Sequence, residues 1–175
     1  MKRPRPIVIT GFMGCGKSKV AQELASRRNI AMVDLDEWIA ARAGRSPAQL
    51  ITEDGEPAFR EIESNALREL LQSGEAGVIA LGGGAWIEEV NRDLIDQYNC
   101  TTIWLDTPFE ICWERIAASE EDRPLGRTRE QAQTLYERRL PIYQLAGIHI
   151  HVTNDLDSLL MQIEEVLNHG LHRSV

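Results

Sequence analysis

The most chemically loaded stretch of this chain is Gly11-Phe12-Met13-Gly14-Cys15-Gly16-Lys17-Ser18, which satisfies G-x-x-x-x-G-K-[ST] in full. Glycines allow the tight turn that aims successive backbone N–H groups inward at phosphate oxygens, and a helix starting there adds partial positive charge. Lys17 is placed to bridge the β- and γ-phosphates of a nucleotide, and the Ser18 hydroxyl to ligate Mg2+. The alternative is a glycine-rich turn followed by a chance Lys-Ser. An apolar strand before the motif and a helix after it weigh against that.

Five further groups could complete a phosphoryl-transfer site. Asp34-Leu35-Asp36 follows a second apolar run. On an extended backbone the two carboxylates share a face, one to hold Mg2+ directly or through water, the other to accept from a substrate hydroxyl. The competing role for such an Asp is capping the next helix. In Asp54-Gly55-Glu56-Pro57-Ala58-Phe59-Arg60-Glu61-Ile62-Glu63, Arg60 could grip a carboxylate bidentately or pair with Glu63 on a solvated helix face. Leu81-Gly82-Gly83-Gly84-Ala85 ends another apolar run, and three glycines there weaken a strand unless a ligand must approach the backbone. Arg123-Pro124-Leu125 lies in a polar segment, and Arg138-Arg139-Leu140-Pro141-Ile142-Tyr143 in a helical one that Pro141 should bend or end.

These groups need a scaffold, and the patterning supplies one. Short apolar runs at 7–10, 31–34, 77–81, 101–105 and 148–152 alternate with amphipathic stretches at 17–28, 129–145 and 156–168. A broken helical region runs from 37 to 73, with Pro47 and Gly55 marking breaks, and Thr107-Pro108 opens a further helix. The alternation predicts an α/β protein with a parallel sheet of five strands. Residues 119–128 are polar and charged, broken by Pro124 and Gly126, and predict a functional lid.

With 175 residues, one domain is expected. Its 19 basic against 27 acidic residues, a net charge of −8, disfavour a general nucleic-acid partner. No apolar run is long enough to span a bilayer. Cys15, Cys100 and Cys112 are odd in number and lack C-x-x-C spacing, which argues against a disulfide framework or zinc site and for the reducing cytoplasm. With no exposed-looking apolar stripe, a monomer is expected.

Taken in order, these residues resemble the shikimate kinases over nearly the whole chain. The matching features are G-F-M-G-x-G-K-S, D-x-D, D-G-E-x-x-F-R-x-x-E, L-G-G-G-A, R-P-L and R-x-P-x-Y, at close to that family's spacing. The resemblance implies a three-layer P-loop kinase fold spanning residues 1–175, with a central parallel five-stranded sheet and a mobile lid. It implies Mg2+-dependent transfer of the ATP γ-phosphoryl group to the 3-hydroxyl of shikimate, a step of aromatic amino acid biosynthesis. Residue by residue, Gly14, Cys15, Gly16, Lys17, Ser18 and Lys19 would cradle the ATP phosphates, with Ser18 on Mg2+ and Asp34 in its outer shell. Asp36 would bind the reacting hydroxyl and accept its proton, so that Lys17, Asp36 and Arg123 form the catalytic set. Arg60 and Arg139 would hold the shikimate carboxylate, with Gly82 and Gly83 on the other side of the ring. Arg123 would close over the γ-phosphate, Arg115 would stack on adenine, and residues 153–157 correspond to the adenine-edge loop.

The chain departs from the family pattern in places. Cys15 and Lys19 stand where Ser and Thr are usual, Ile51 where Phe is, and Pro47 where Ile is. The Cys15 thiol is either activated by the helix N-terminus or buried and inert, and Trp86 either lines the pocket or packs in the core. The rival readings are another small-molecule kinase of the same build, such as a gluconate kinase or a nucleoside monophosphate kinase, and a non-catalytic binding module.

Overall fold

The computed structural model describes residues 5–152 and 155–171. Thr153 and Asn154 of the expected adenine-edge segment, and the basic Lys2 and Arg3, lie outside them. Strands β1 Ile7–Thr10, β2 Met32–Asp34, β3 Val78–Ala80, β4 Thr101–Asp106 and β5 Ile148–His151 form one sheet in the order β2-β3-β1-β4-β5. Every pairing is parallel. β1 is the middle strand and all four of its residues are buried, which is why its sequence is a continuous apolar run rather than an alternation.

The flanking helices are α1 Lys17–Arg28, α2 Leu35–Ala43, α3 Pro47–Asp54, α4 Glu56–Ser73, α5 Glu89–Gln97, α6 Phe109–Ala117, α7 Arg129–Tyr143 and α8 Leu156–Leu171, with a 3-10 turn at Ala85–Ile87. Local signals set most boundaries. Ser46 and Gln49 form a reciprocal capping box over Pro47 at the start of α3, and Thr128 and Gln131 form another at the start of α7. Gly55, at φ 92°, separates α3 from α4, so the two breaks expected at Pro47 and Gly55 both occur. Pro141 does not end α7, which runs two residues further to Tyr143. Among the described residues no helix is long and apolar enough to cross a membrane.

The sheet order decides which chain segments meet. Ala80, the last residue of β3, lies opposite both Asp34 of β2 and Ile9 of β1. The chain leaving β1 therefore opens beside the glycines leaving β3 and the start of α2, at the carboxyl edge where open parallel sheets hold ligands.

Candidate active site

The phosphate motif turns as its glycines require. Gly14 has φ 77°, and a Cβ there would lie 2.7 Å from the Cys112 carbonyl oxygen, so neither the conformation nor the space admits a side chain. Gly16 caps α1 with no side-chain acceptor on the helix's first N–H groups, which leaves them to an anion. The Lys17 ammonium donates to the carbonyls of Gly11 and Phe12, each at 2.9 Å, and so spans the loop. Lys19 is exposed on α1. Cys15 is only 1% exposed, with its sulfur 3.8 Å from Lys17 Nζ, and this decides for the buried, packed thiol.

Asp34 and Asp36 are brought together differently from the extended-strand expectation. β2 stops at Asp34 and α2 begins at Leu35, so Asp34 is the helix cap and Asp36 lies in the first turn. Asp34 Oδ1 accepts from the Asp36 N–H at 3.0 Å and the Glu37 N–H at 3.3 Å. Its Oδ2 accepts from the Ser18 hydroxyl. That bond points the Ser18 hydroxyl proton at Asp34 and turns the oxygen's lone pairs away from it. A hard divalent cation beside the loop would find oxygen donors of this kind suitable. Burial, then the neighbouring Asp34 carboxylate, pushes Asp36 up to about 6 against the pull of Lys17 and Arg60.

Gly82, Gly83 and Gly84 stand where three other side chains need room. A Cβ on Gly82 would lie 2.6 Å from Asp36 Oδ1 and 3.1 Å from Glu63 Oε1, so two carboxylates converge on that one residue. A Cβ on Gly84 would lie 2.5 Å from Arg60 Cζ and 2.6 Å from its Nη1, so the guanidinium packs on the backbone itself. The Gly83 carbonyl accepts from Arg139 Nη1 at 3.1 Å and from the Tyr143 hydroxyl, which come from adjacent turns of α7. Arg139 is buried, and burial holds the Tyr143 phenol protonated far above its ordinary range.

Arg60 does pair with Glu63, at 2.7 Å, but in the interior rather than on a solvated face. Burial pushes Glu63 up to about 7, a rise that the Arg60 charge opposes without cancelling. Glu63 and Glu56 are site residues that motif reading missed as such. Their signal was the i,i+3 and i−4 spacing from Arg60 along α4. Trp86 is a core residue, as its burial and its bond from Nε1 to the Ile142 carbonyl at 2.9 Å require.

The segment 119–128, expected to be a lid, reaches the phosphate loop. The Met13 methyl group packs so closely on Gly126 that a Cβ there would overlap it. Arg123 Nη2 donates to Glu121 at 2.7 Å, while Nη1 is buried without a partner among the described residues. Arg115 lies behind the loop, donating to the Gly14 carbonyl at 3.1 Å. The structure thus gathers Asp36, Arg60 and Arg139 around Gly82, Gly83 and Gly84, with Gly83 close to Met13 of the phosphate loop and Asp34 joining Ser18 to the start of α2.

Comparison with known proteins bears on the family and the fold. The family described as "SKI: Shikimate kinase" matches residues 13–171. A shikimate kinase of Streptococcus thermophilus is 36% identical over 151 residues, covering 84% of this chain and 90% of its own. One from Thermus thermophilus is 36% identical over 171 residues, covering 94% and 90%. The solved shikimate kinase of Acinetobacter baumannii in complex with shikimate superposes with a TM-score of 0.87 at 27% identity, covering 96% of both chains.

Proposed function

This chain belongs to the shikimate kinase family, and we propose on that premise how its residues carry the reaction, transfer of the ATP γ-phosphoryl group to the 3-hydroxyl of shikimate. The observation that carries the assignment of residues is the set of Asp36, Arg60 and Arg139 packed around three successive glycines facing the phosphate loop. Shikimate has one carboxylate and three hydroxyls. Arg60 and Arg139 supply the cations for the carboxylate, and the backbone at Gly82 and Gly83 lets the ring approach. Asp36 aligns the attacking hydroxyl and takes its proton, for which a carboxyl pushed up to about 6 is a better base than an ordinary aspartate.

The N–H groups from Gly14 to Lys19 cradle the phosphates, Lys17 neutralises the transferring group, and Arg123 meets it from the lid with the Nη1 that has no partner among the described residues. Ser18 and Asp34 are the residues that would hold Mg2+, which supplies charge neutralisation on the β- and γ-phosphates. Closing residues 119–128 excludes water and suppresses ATP hydrolysis. Arg115 stacks on the adenine, a role supported by its bond to the Gly14 carbonyl of the loop. The free thiols of Cys15, Cys100 and Cys112 support the cytoplasm.

The test is Mg2+-dependent ATP consumption with shikimate, gluconate, AMP or no acceptor, in the wild type and Arg139→Ala. Turnover is expected with shikimate alone, and the variant should lose about 2–4 kcal/mol of transition-state binding, as for a charged hydrogen bond left unpaired. Turnover with gluconate or AMP only would overturn the substrate assignment while leaving the phosphate loop in place. Unchanged kinetics in Arg139→Ala would remove that residue from the clamp.

A further inference from the structure

Arg60 is held by more carboxylates than its position requires. Glu63 accepts from Nη1 at 2.7 Å, Glu56 accepts from Nη2 at 2.9 Å and from Nε at 3.3 Å, and Glu88 lies 4.0 Å from Nε. The guanidinium presents five N–H donors in a fixed fork, and the Nε/Nη2 edge is one on which a carboxylate finds two parallel donors. Glu56 already sits on that edge, its single Oε1 accepting from both donors.

The glutamates on this cation differ in what releasing them would cost. Glu63 is 1% exposed and enclosed beside Gly82, so its carboxylate cannot reach water. Glu56 is 42% exposed at the first position of α4, and one side-chain rotation returns it to solvent near a helix N-terminus that still favours its charge. A substrate carboxylate arriving at Arg60 adds another anion within a few ångströms of those present. Glu88 is 40% exposed but at 4.0 Å takes no donor of Arg60, so of the two glutamates hydrogen-bonded to it Glu56 is the one that water can solvate and the one to leave. Arg60 keeps its place without Glu56, because Glu63 still holds Nη1 and the Gly84 backbone still packs on the guanidinium.

We propose that Glu56 occupies the carboxylate seat on Arg60 and yields it when shikimate binds, so that it sets the affinity and rejects ligands that bring hydroxyls but no carboxylate. A neutral polyol offers nothing to exchange for the Glu56 contact, whereas a carboxylate replaces it like for like. The inference rests on the reading that Arg60 grips the substrate carboxylate. If Glu56 closes the seat most of the time, the apparent affinity is reduced by the open fraction, about three- to tenfold for a half-exposed pair of this kind.

The experiment is calorimetric titration of shikimate, without nucleotide, into the wild type, Glu56→Gln, Glu56→Ala, Glu61→Gln and Arg60→Ala. Both Glu56 variants should bind about three- to tenfold more tightly than wild type. Glu61→Gln, which removes the same charge from the adjacent exposed position, should change binding less than about twofold. Equal or weaker binding in both Glu56 variants overturns the proposal, and so does an equal gain in Glu61→Gln, which would make charge near the site responsible rather than the seat. In either case weak binding by Arg60→Ala leaves the role of Arg60 intact. Undiminished binding by Arg60→Ala would instead remove that role, and the proposal with it.

Discussion

Replacing Gly84 by Ala tests the site at its most confined point. Gly84 has φ −106° and ψ −14°, an ordinary right-handed conformation, so Ala brings no backbone strain and the effect is one of space. The new Cβ would lie 2.5 Å from Arg60 Cζ and 2.6 Å from Nη1, whereas carbon and nitrogen rest at about 3.5 Å, so the guanidinium must move by about 1 Å. That displacement carries Nη1 from 2.7 Å to beyond hydrogen-bonding reach of Glu63 and takes the fork off the substrate carboxylate. Losing one charged hydrogen bond costs about 1.5–3 kcal/mol, or about 10- to 150-fold in kcat/KM for shikimate. Stability should hardly fall. The obstructing atoms are the tip of a side chain that can swing, Glu63 can take up a proton when its cation moves, and Ala restricts the unfolded chain by about 0.4–1 kcal/mol. Steady-state kinetics with each substrate varied in turn, beside a urea midpoint, separates the effects. A kcat/KM for shikimate within twofold of wild type, or a loss confined to the KM for ATP, would refute the steric reasoning.

Three other substitutions probe the supports of the site. Tyr143→Phe removes a buried hydroxyl from the Gly83 carbonyl and should cost about 0.5–1.5 kcal/mol in a urea melt, with a higher KM for shikimate; an unchanged melt and KM would deny the contact any role. Glu63 is raised from 4.5 to about 7 in the folded protein, so the folded state keeps a proton that the unfolded chain has lost. Its contribution to stability is therefore full below pH 4.5 and disappears as pH rises through about 7; Glu63→Gln should flatten unfolding midpoints measured from pH 5 to 8, and equal slopes would contradict this. Met13→Ala removes the group that packs on Gly126 and should raise ATP hydrolysis without shikimate relative to kinase turnover, and an unchanged ratio would mean that Met13 does not seat the lid.

The phosphate loop was legible because all its parts are contiguous: glycines, Lys17 and Ser18 act on a ligand through one turn of backbone. The five strands were legible because a strand buried on both faces must be apolar throughout. Helix breaks at Pro47 and Gly55 followed from which conformations those residues permit. Motif order was enough to indicate the family and to nominate site residues, but not how those residues touch. Asp34 and Asp36 were expected to share a strand face, yet the chain turns into helix after Asp34, because the Asp34 carboxylate caps that helix while accepting from Ser18. The two surroundings open to Cys15 were separated only by burial.

Above all, nothing in the spacing said why there are three glycines. Gly82 leaves room for Asp36 and Glu63, Gly83 takes Arg139 and Tyr143 on its carbonyl, and Gly84 bears the Arg60 guanidinium. Those partners come from α2, α4 and α7, as far as 60 residues along the chain. Residue type and short spacing determine what a segment can do to its own backbone. Which distant segments share a point in space depends on β3 lying between β2 and β1 and on how the helices pack above that edge.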